Sequence, residues 1–213
     1  MAMPDAWEEV ALVTIIKFDA SSPLTIQAAA MTETIEIDQP DYAGESIPDI
    51  AGGRAWKQST QEDGKFVLDI YPIYIENKNG TVTSDKGLFD FFVGGTPATT
   101  EPRKTDVSWA TGADRTRDKF CVSIMWTNDT TPTSAIASTA GSTDSLRFTA
   151  LNCRMISHKP SFADGVLKVK CTFKFASLNY AGDVMMYRWE SAVQTAMSQL
   201  FTNGTYDDFD SWT

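Results

Sequence analysis

Apolar and polar side chains alternate strictly through residues 165–175, GVLKVKCTFKF. Successive side chains of a β-strand point to opposite faces of a sheet, so this period of two indicates a strand with one buried face. We expect the apolar set to face the core and the polar set to face outward: Leu167, Val169, Cys171, Phe173 and Phe175 inward, Lys168, Lys170, Thr172 and Lys174 outward. The chain is therefore constrained to form a sheet with one packed side.

Five further stretches are rich in β-branched and aromatic residues or alternate in the same way, which favours strands. They are residues 9–18, 32–38, 66–76, 119–127 and 145–156. In the second of these, Glu36 and Asp38 share the polar face. A series of short strands in a chain of 213 residues predicts a mainly β fold, as a sandwich or a barrel in one domain.

Helical periodicity is scarce. Residues 87–93 are predicted to form two turns between flanking glycines, and Val184 to Phe201 is the stronger candidate. There Met185, Trp189 and Val193 recur at helical spacing. The prediction is thus one or two helices, with a C-terminal helix and acidic tail over residues 184–213.

Three long connections separate the predicted strands, at residues 39–53, 94–118 and 128–144. Connections longer than about 12–15 residues are uncommon in compact domains and are usually functional or disordered. We therefore predict a single domain, residues 1–213, whose loops make its outside contacts.

Charge is distributed unevenly along the chain, whose formal net charge is −10. Residues 1–90 carry sixteen acidic and six basic side chains, whereas residues 91–213 carry twelve of each. An acidic chain grips nucleic acid poorly, because such binding requires Lys and Arg to displace counterions. No apolar run approaches the ~18 residues of a membrane span, and residues 1–10 lack the order of a signal peptide. We expect no membrane contact and residence in a cytoplasm before assembly.

Candidate catalytic chemistry is absent from the sequence. His158 is the only histidine, beside Lys159-Pro160 at a predicted strand end, and no nucleophile elbow or phosphate-binding glycine motif occurs. The carboxylates are numerous but scattered, so they do not indicate the acid pair of a glycosidase. We predict no catalytic residues, no metal site and no cofactor.

The cysteines and the glycosylation sequons are also read as structural. Cys121, Cys153 and Cys171 are far apart and lie in apolar stretches, so buried reduced thiols are expected. The sequon asparagines are interpreted as turn residues: Asn79, Asn128 and Asn203.

The order of several segments resembles a known family. An acidic strand, a long Gly/Asp loop, Gly-Gly-Arg, a polar strand and an alternating strand run from Thr34 to Ile75. LFDFFVGG (88–95) then precedes a Pro-rich loop, RDKFCVSIMWT (117–127) precedes a Ser/Thr/Ala loop, and residues 146–175 contain two strands around His-Lys-Pro. This order is similar to that of the major tail (tail tube) proteins of long non-contractile-tailed viruses of bacteria or archaea.

The resemblance implies a virion structural protein and not an enzyme. Such proteins have a β-sandwich or β-barrel with a flanking helix, and they assemble in the host cytoplasm into hexameric rings stacked head to tail. Neighbouring subunits join their sheets around a channel, and arms reach adjacent rings. The implied partners are further copies of this chain, the tape measure, the terminator and a baseplate or tip protein. DNA would pass through an acidic lumen without specific binding, because like charges repel at short range.

Site residues follow from this resemblance. The inter-ring arm is predicted over residues 39–54, with these members: Pro40, Asp41, Tyr42, Gly44, Glu45, Ile47, Pro48, Asp49, Gly52, Gly53 and Arg54. Glu36 and Asp38 are lumen candidates, with a solvated outer face as the alternative. Lys168, Lys170 and Lys174 form a basic face predicted to meet an acidic surface of a neighbouring subunit.

Three alternatives stay open. The first is an extracellular carbohydrate-binding β-sandwich that uses tryptophans, with these candidates: Trp56, Trp109, Trp126 and Trp212. The second is a small hydrolase built on scattered carboxylates. The third is a secretion-system tube protein of the same architecture.

Overall fold

The computed structural model describes residues 10–17, 24–31, 34–71, 119–127, 144–163, 165–179, 181–182 and 185–193. Within these residues the chain forms ten β-strands and no α-helix. The strands are β1 (Val10–Lys17), β2 (Leu24–Met31), β3 (Glu36–Asp38), β4 (Tyr42–Pro48), β5 (Arg54–Gln61), β6 (Gly64–Tyr71), β7 (Phe120–Thr127), β8 (Asp144–Ala163), β9 (Val166–Phe175) and β10 (Tyr187–Val193).

Eight of the strands form one antiparallel sheet that curls back on itself. The pairings run from β1 to β2, β6, β9, β8 and β7 and then return to β1. β8 makes this circuit possible because it is 20 residues long and pairs with β7 along its first half and with β9 along its second. β3 and β10 flank the circuit on β6 and β8. The prediction of a mainly β, barrel-like fold is confirmed.

The concave side of the sheet holds an aromatic core. The Phe66 ring stacks on Phe173 at a centroid distance of 5.0 Å and meets Phe148 edge-on at 6.0 Å. Burial of such side chains stabilises the fold by about 1.5–3 kcal/mol each. The inward and outward faces predicted for residues 165–175 are confirmed, with four core-facing residues buried and two lysines exposed: Val169, Cys171, Phe173 and Phe175, against Lys170 and Lys174.

The predicted C-terminal helix is wrong where it can be compared, because Tyr187–Val193 is strand β10, paired with residues 144–150 of β8. The helical spacing that suggested it has a second interpretation. Met185, Trp189 and Val193 are four residues apart, and four is a multiple of two, so they also share one face of an extended chain. The candidate helix at residues 87–93 lies outside the described residues.

The first predicted loop is also wrong in part. Residues 39–53 contain all of β4 and lead directly into β5, so most of this segment is a β-hairpin. The other two connections, 94–118 and 128–144, lie outside the described residues except for Asp144, which begins β8. Of the described residues in the strand predicted at 32–38, only Glu36–Asp38 is paired.

Strand β2, Leu24–Met31, was not predicted from the sequence. Its sequence LTIQAAAM contains three alanines, which are depleted in strands. β1 and β2 pair in unbroken register from Val10 with Met31 to Lys17 with Leu24. Tertiary pairing with a strongly β-forming neighbour therefore sets the conformation of β2.

Candidate assembly surfaces

β4 and β5 form a hairpin that pairs with no other strand in the described part of the chain. It continues the pairing of β3 with β6, since Asp38 lies opposite Lys65 just before the hairpin begins. At its base, the Glu62 backbone N–H donates to the Asp41 carbonyl at 3.0 Å. The seven residues of β4, at about 3.3 Å each, extend it by ~23 Å. The hairpin is thus an arm that grows out of the margin of the sheet.

The tip of the hairpin is a turn over residues 49–53. The Asp49 N–H donates to the Gly53 carbonyl at 2.9 Å, and the Gly52 N–H donates to the Asp49 carbonyl at 3.1 Å. The Asp49 carboxylate also accepts a hydrogen bond from the Ala51 N–H. Gly52 has φ +83°, a left-handed conformation that favours glycine. These hydrogen bonds and the glycine conformation form the turn that joins the end of β4 to the start of β5.

Large apolar side chains lie exposed along the hairpin. Trp56 is 69% exposed and Tyr42 is 56% exposed, and Ile47 and Ile50 are exposed as well. The Trp56 ring crosses to the partner strand and covers Gly44, where an added Cβ would lie 2.1 Å from its Cζ2 atom. An isolated two-stranded hairpin is marginally stable in water, and exposed apolar clusters mark interaction surfaces.

The predicted arm residues fall in three parts of the hairpin. Those at the base are Pro40 and Asp41; those in β4 are Tyr42, Gly44, Glu45, Ile47 and Pro48; those in the turn and the start of β5 are Asp49, Gly52, Gly53 and Arg54. All except Pro40 are exposed. The Arg54 guanidinium donates to the Ser46 hydroxyl at 3.3 Å across the hairpin. The structure therefore brings the predicted arm together as one projecting element, and its contact with another ring stays a prediction.

The two lumen candidates lie on β3. Glu36 and Asp38 are exposed, and Ile37 between them is packed against the core. The polar face predicted for this segment is therefore present over the three paired residues.

The predicted basic face lies on the outer side of β9. Lys170 and Lys174 are exposed there. Lys168 is partly buried, and its Nζ atom lies 3.4 Å from Oδ2 of Asp69 on β6. The ammonium of Lys168 thus forms an ion pair within the chain, whereas Lys170 and Lys174 project outward.

Three further cations share this surface and were not predicted from the sequence: Lys65, Arg154 and Lys159. Register places them there, because residues directly opposite in an antiparallel sheet point to the same side. Lys174 lies between Lys65 and Arg154. We call the outer surface of β6, β9 and residues 154–163 of β8 the basic face.

The acidic strand and the basic face are neighbours on one side of the sheet. Asp38 pairs with Lys65, which in turn pairs with Lys174, so one strand separates the lumen candidate from the lysine. From the sequence, the acidic and basic sets are expected on separate surfaces. In the structure they form the margin and the centre of a single surface.

Buried titratable groups in the sheet are not poised for chemistry. Burial raises the pKa of the Cys171 thiol, with the Asp69 carboxylate adding to the effect, and burial likewise raises the pKa of Cys153 well above its ordinary value. All three cysteines are buried and free, as expected from the sequence. Burial lowers the pKa of the Arg147 guanidinium, and the Glu190 carboxylate acts in the opposite direction. With these raised pKa values, the Cys153 and Cys171 thiols remain protonated near neutral pH.

His158 lies within β8, opposite Cys171, and not at a strand end as predicted. The described residues contain no group of three or more His, Cys, Asp or Glu side chains that could hold a metal ion. Nor is any helix in this part of the chain long and apolar enough to cross a membrane. Trp126, one of the tryptophans considered for carbohydrate binding, is buried. The remaining tryptophan and sequon candidates lie outside the described residues: Trp109, Trp212, Asn79, Asn128 and Asn203.

No protein-family model matches the chain, and no curated protein matches it in sequence. Some solved structures are similar in backbone. A chain in the six-fold symmetrised baseplate of the anti-feeding prophage has a TM-score of 0.43 and 12% identity, covering 89% of this chain and 97% of that chain. A chain in the extended sheath–tube complex of the extracellular contractile injection system PVC has a TM-score of 0.41 and 11% identity, covering 85% and 88%. An Hcp protein has a TM-score of 0.34 and 9% identity, covering 86% and 99%.

Proposed function

We propose that this protein is a structural, non-enzymatic subunit of a tube, and that the tube is the tail of a long-tailed virus. In this proposal the chain assembles into rings, six copies to a ring, that stack head to tail. The terminator, tape measure and tip proteins of the virion are its further partners. Viral DNA passes through the tube during ejection.

The projecting hairpin carries this proposal. The curled sheet leaves few unpaired edges and buries its own core, so the body of the domain needs no partner to fold. The hairpin, in contrast, exposes Tyr42, Ile47 and Trp56 in the single chain and pairs with no other strand of the described residues. A curled sheet with one exposed apolar hairpin is typical of a subunit whose hairpin contacts a neighbouring subunit.

Charge supports the role of a conduit. Glu36 and Asp38 lie exposed at the margin of the sheet, and we propose that this margin faces the channel. A carboxylate wall repels phosphates over the screening length, which is about 8 Å at physiological salt. Because Lys65 and Lys174 lie on the same side of the sheet, this lining repels DNA only if those cations are covered in the assembled tube.

The direct test is electron microscopy of the purified protein over a range of concentrations. Rings about one subunit thick, and tubes of stacked rings, are the expected result. The matched variant replaces residues 42–61 with a short turn and keeps the sheet. We expect this variant to melt at nearly the temperature of the full chain and to form no tubes. A wild-type protein that stays monomeric at every concentration would refute the proposal.

Exposed Trp56 and Tyr42 also favour a second candidate, a carbohydrate-binding module, because sugars stack on open aromatic rings. A glycan array with the monomeric protein separates the two. Binding that is lost in Trp56→Ala, with no ring formation by wild type, would support the binding module. Rings without glycan binding support the tube.

A further inference from the structure

The basic face is unusual for so acidic a chain. It carries six cations against one carboxylate, Asp69, whereas the whole chain has a formal net charge of −10. Asp69 is already engaged by Lys168 at 3.4 Å. Asp38 on the neighbouring β3 lies opposite Lys65, and the described residues of the basic face itself offer no other acidic side chain.

Register brings like charges directly together on this face. Lys170 lies between Lys159 and Asp69, and Lys174 lies between Arg154 and Lys65. Like charges at directly opposed positions of a sheet are destabilising. Bringing several such pairs together costs stability in the free subunit, and a docked anionic partner would remove that cost.

The hairpin has the complementary composition. Residues 41–63 carry five carboxylates and two cations: Asp41, Glu45, Asp49, Glu62 and Asp63, against Arg54 and Lys57. Exposed apolar side chains lie among them, with Trp56 the largest. Aromatic anchors within a polar rim are the usual anatomy of a protein interface.

The two surfaces do not satisfy each other within one chain. Lys170 and Lys174 on the basic face are exposed, and so are Glu45 and Trp56 on the hairpin. The described residues of one chain leave the basic face exposed, and a second copy of this chain supplies a hairpin of the required charge. We propose that the hairpin of one copy docks on the basic face of the next.

This contact is heterologous, since two different surfaces of the same chain meet, and repeated contacts of that kind produce rings or filaments. The inference rests on the proposed function and deepens it, because it makes the hairpin and the basic face two halves of one interface.

Charge reversal on each side tests the pairing. The face-reversed variant carries Lys159→Glu, Lys170→Glu and Lys174→Glu. The hairpin-reversed variant carries Glu45→Lys, Glu62→Lys and Asp63→Lys, all at exposed positions. The matched control, Lys57→Glu, makes the same change at an exposed lysine of the hairpin and leaves the proposed attraction intact. Circular dichroism melts verify that each variant is folded.

Each reversed variant alone is expected to need at least about tenfold more protein than wild type to assemble, equivalent to ~1.4 kcal/mol per contact. The equimolar mixture is expected to assemble at nearly the wild-type concentration, because each variant then offers the surface that the other needs. Lys57→Glu is expected to assemble like wild type. Sedimentation and electron microscopy measure all four samples.

The inference is overturned if the folded reversed variants assemble normally alone, or if their mixture fails to assemble. In either case, tubes formed by the wild-type protein would still support the proposed function. If the wild-type protein forms no tubes, the proposed function fails. Comparing the sedimentation of the variant mixture with that of each variant alone still decides whether the hairpin binds the basic face. Duplex DNA retention that is lost only in the face-reversed variant, with assembly unchanged, would assign the basic face to nucleic acid and overturn the inference.

Discussion

A methyl group added at Gly64 tests how tightly the core is closed. Gly64 begins β6 opposite Phe175, and a Cβ placed there would lie 2.3–2.7 Å from three carbons of the Phe175 ring. That ring is buried and has little room to move. It is surrounded by the rings of Phe66, Phe148 and Tyr187 at centroid distances of 5.8, 5.7 and 5.4 Å.

The expected cost follows from two opposing effects. Overpacking a well-packed core costs about 1–3 kcal/mol. Replacing glycine by alanine also restricts the unfolded chain, which returns about 0.4–1 kcal/mol. Gly64→Ala is therefore expected to lower the free energy of unfolding by about 1–2 kcal/mol, or the Tm by roughly 2–8 °C for a chain of this size.

The assay is chemical denaturation and thermal melting of three variants. Gly53→Ala is the matched control, since its Cβ would meet only the exposed Asp49 side chain, at 3.3 Å, and we expect a change within about 0.5 kcal/mol. Phe175→Leu supplies the second arm of a double-mutant cycle. If the clash is the cause, Gly64→Ala costs at least about 0.5 kcal/mol less in the Phe175→Leu background. Equal costs in both backgrounds, or a Gly64→Ala protein as stable as Gly53→Ala, would refute the reasoning.

Three further outcomes are expected. Because burial raises the pKa of Cys153 and Cys171, the unfolded chain loses the protons of these two thiols above about pH 8.5 while the folded chain keeps them. The free energy of unfolding therefore falls as the pH rises further. Denaturation at pH 7.5 and 9.5 measures this, and Ellman's reagent should label none of the three thiols until guanidinium is added. Lys168→Met leaves the Asp69 carboxylate buried without its ion pair and should cost about 1–3 kcal/mol. Lys174→Met, at an exposed position opposite no carboxylate, should change the stability by no more than about 0.5 kcal/mol. Equal urea midpoints for the two variants would contradict this. Glu190→Gln removes the charge that supports buried Arg147, and we expect a loss of about 1–3 kcal/mol in the same assay.

The hairpin and the C-terminal segment show where sequence patterns mislead. Residues 39–53 have the prolines, glycines and acids of a loop, yet β4 forms because β5 lies opposite and Trp56 covers Gly44. Met185, Trp189 and Val193 fit helical and extended periods equally well, and the exposed edge of β8 decides in favour of the strand. In both cases a partner strand distant in sequence selects between two locally acceptable conformations.

The sequence itself determined three features: the alternation of β9, the burial of the thiols and the mainly β class. Each of them depends on which side chains are buried along one extended segment. The basic face was not, because Lys65, Arg154 and Lys159 come from different parts of the chain and only the register of β6, β8 and β9 aligns them. The same register moves Glu36 and Asp38 beside those cations. A one-residue shift of any pairing would send these side chains to the opposite face, so the surface is a property of tertiary structure alone.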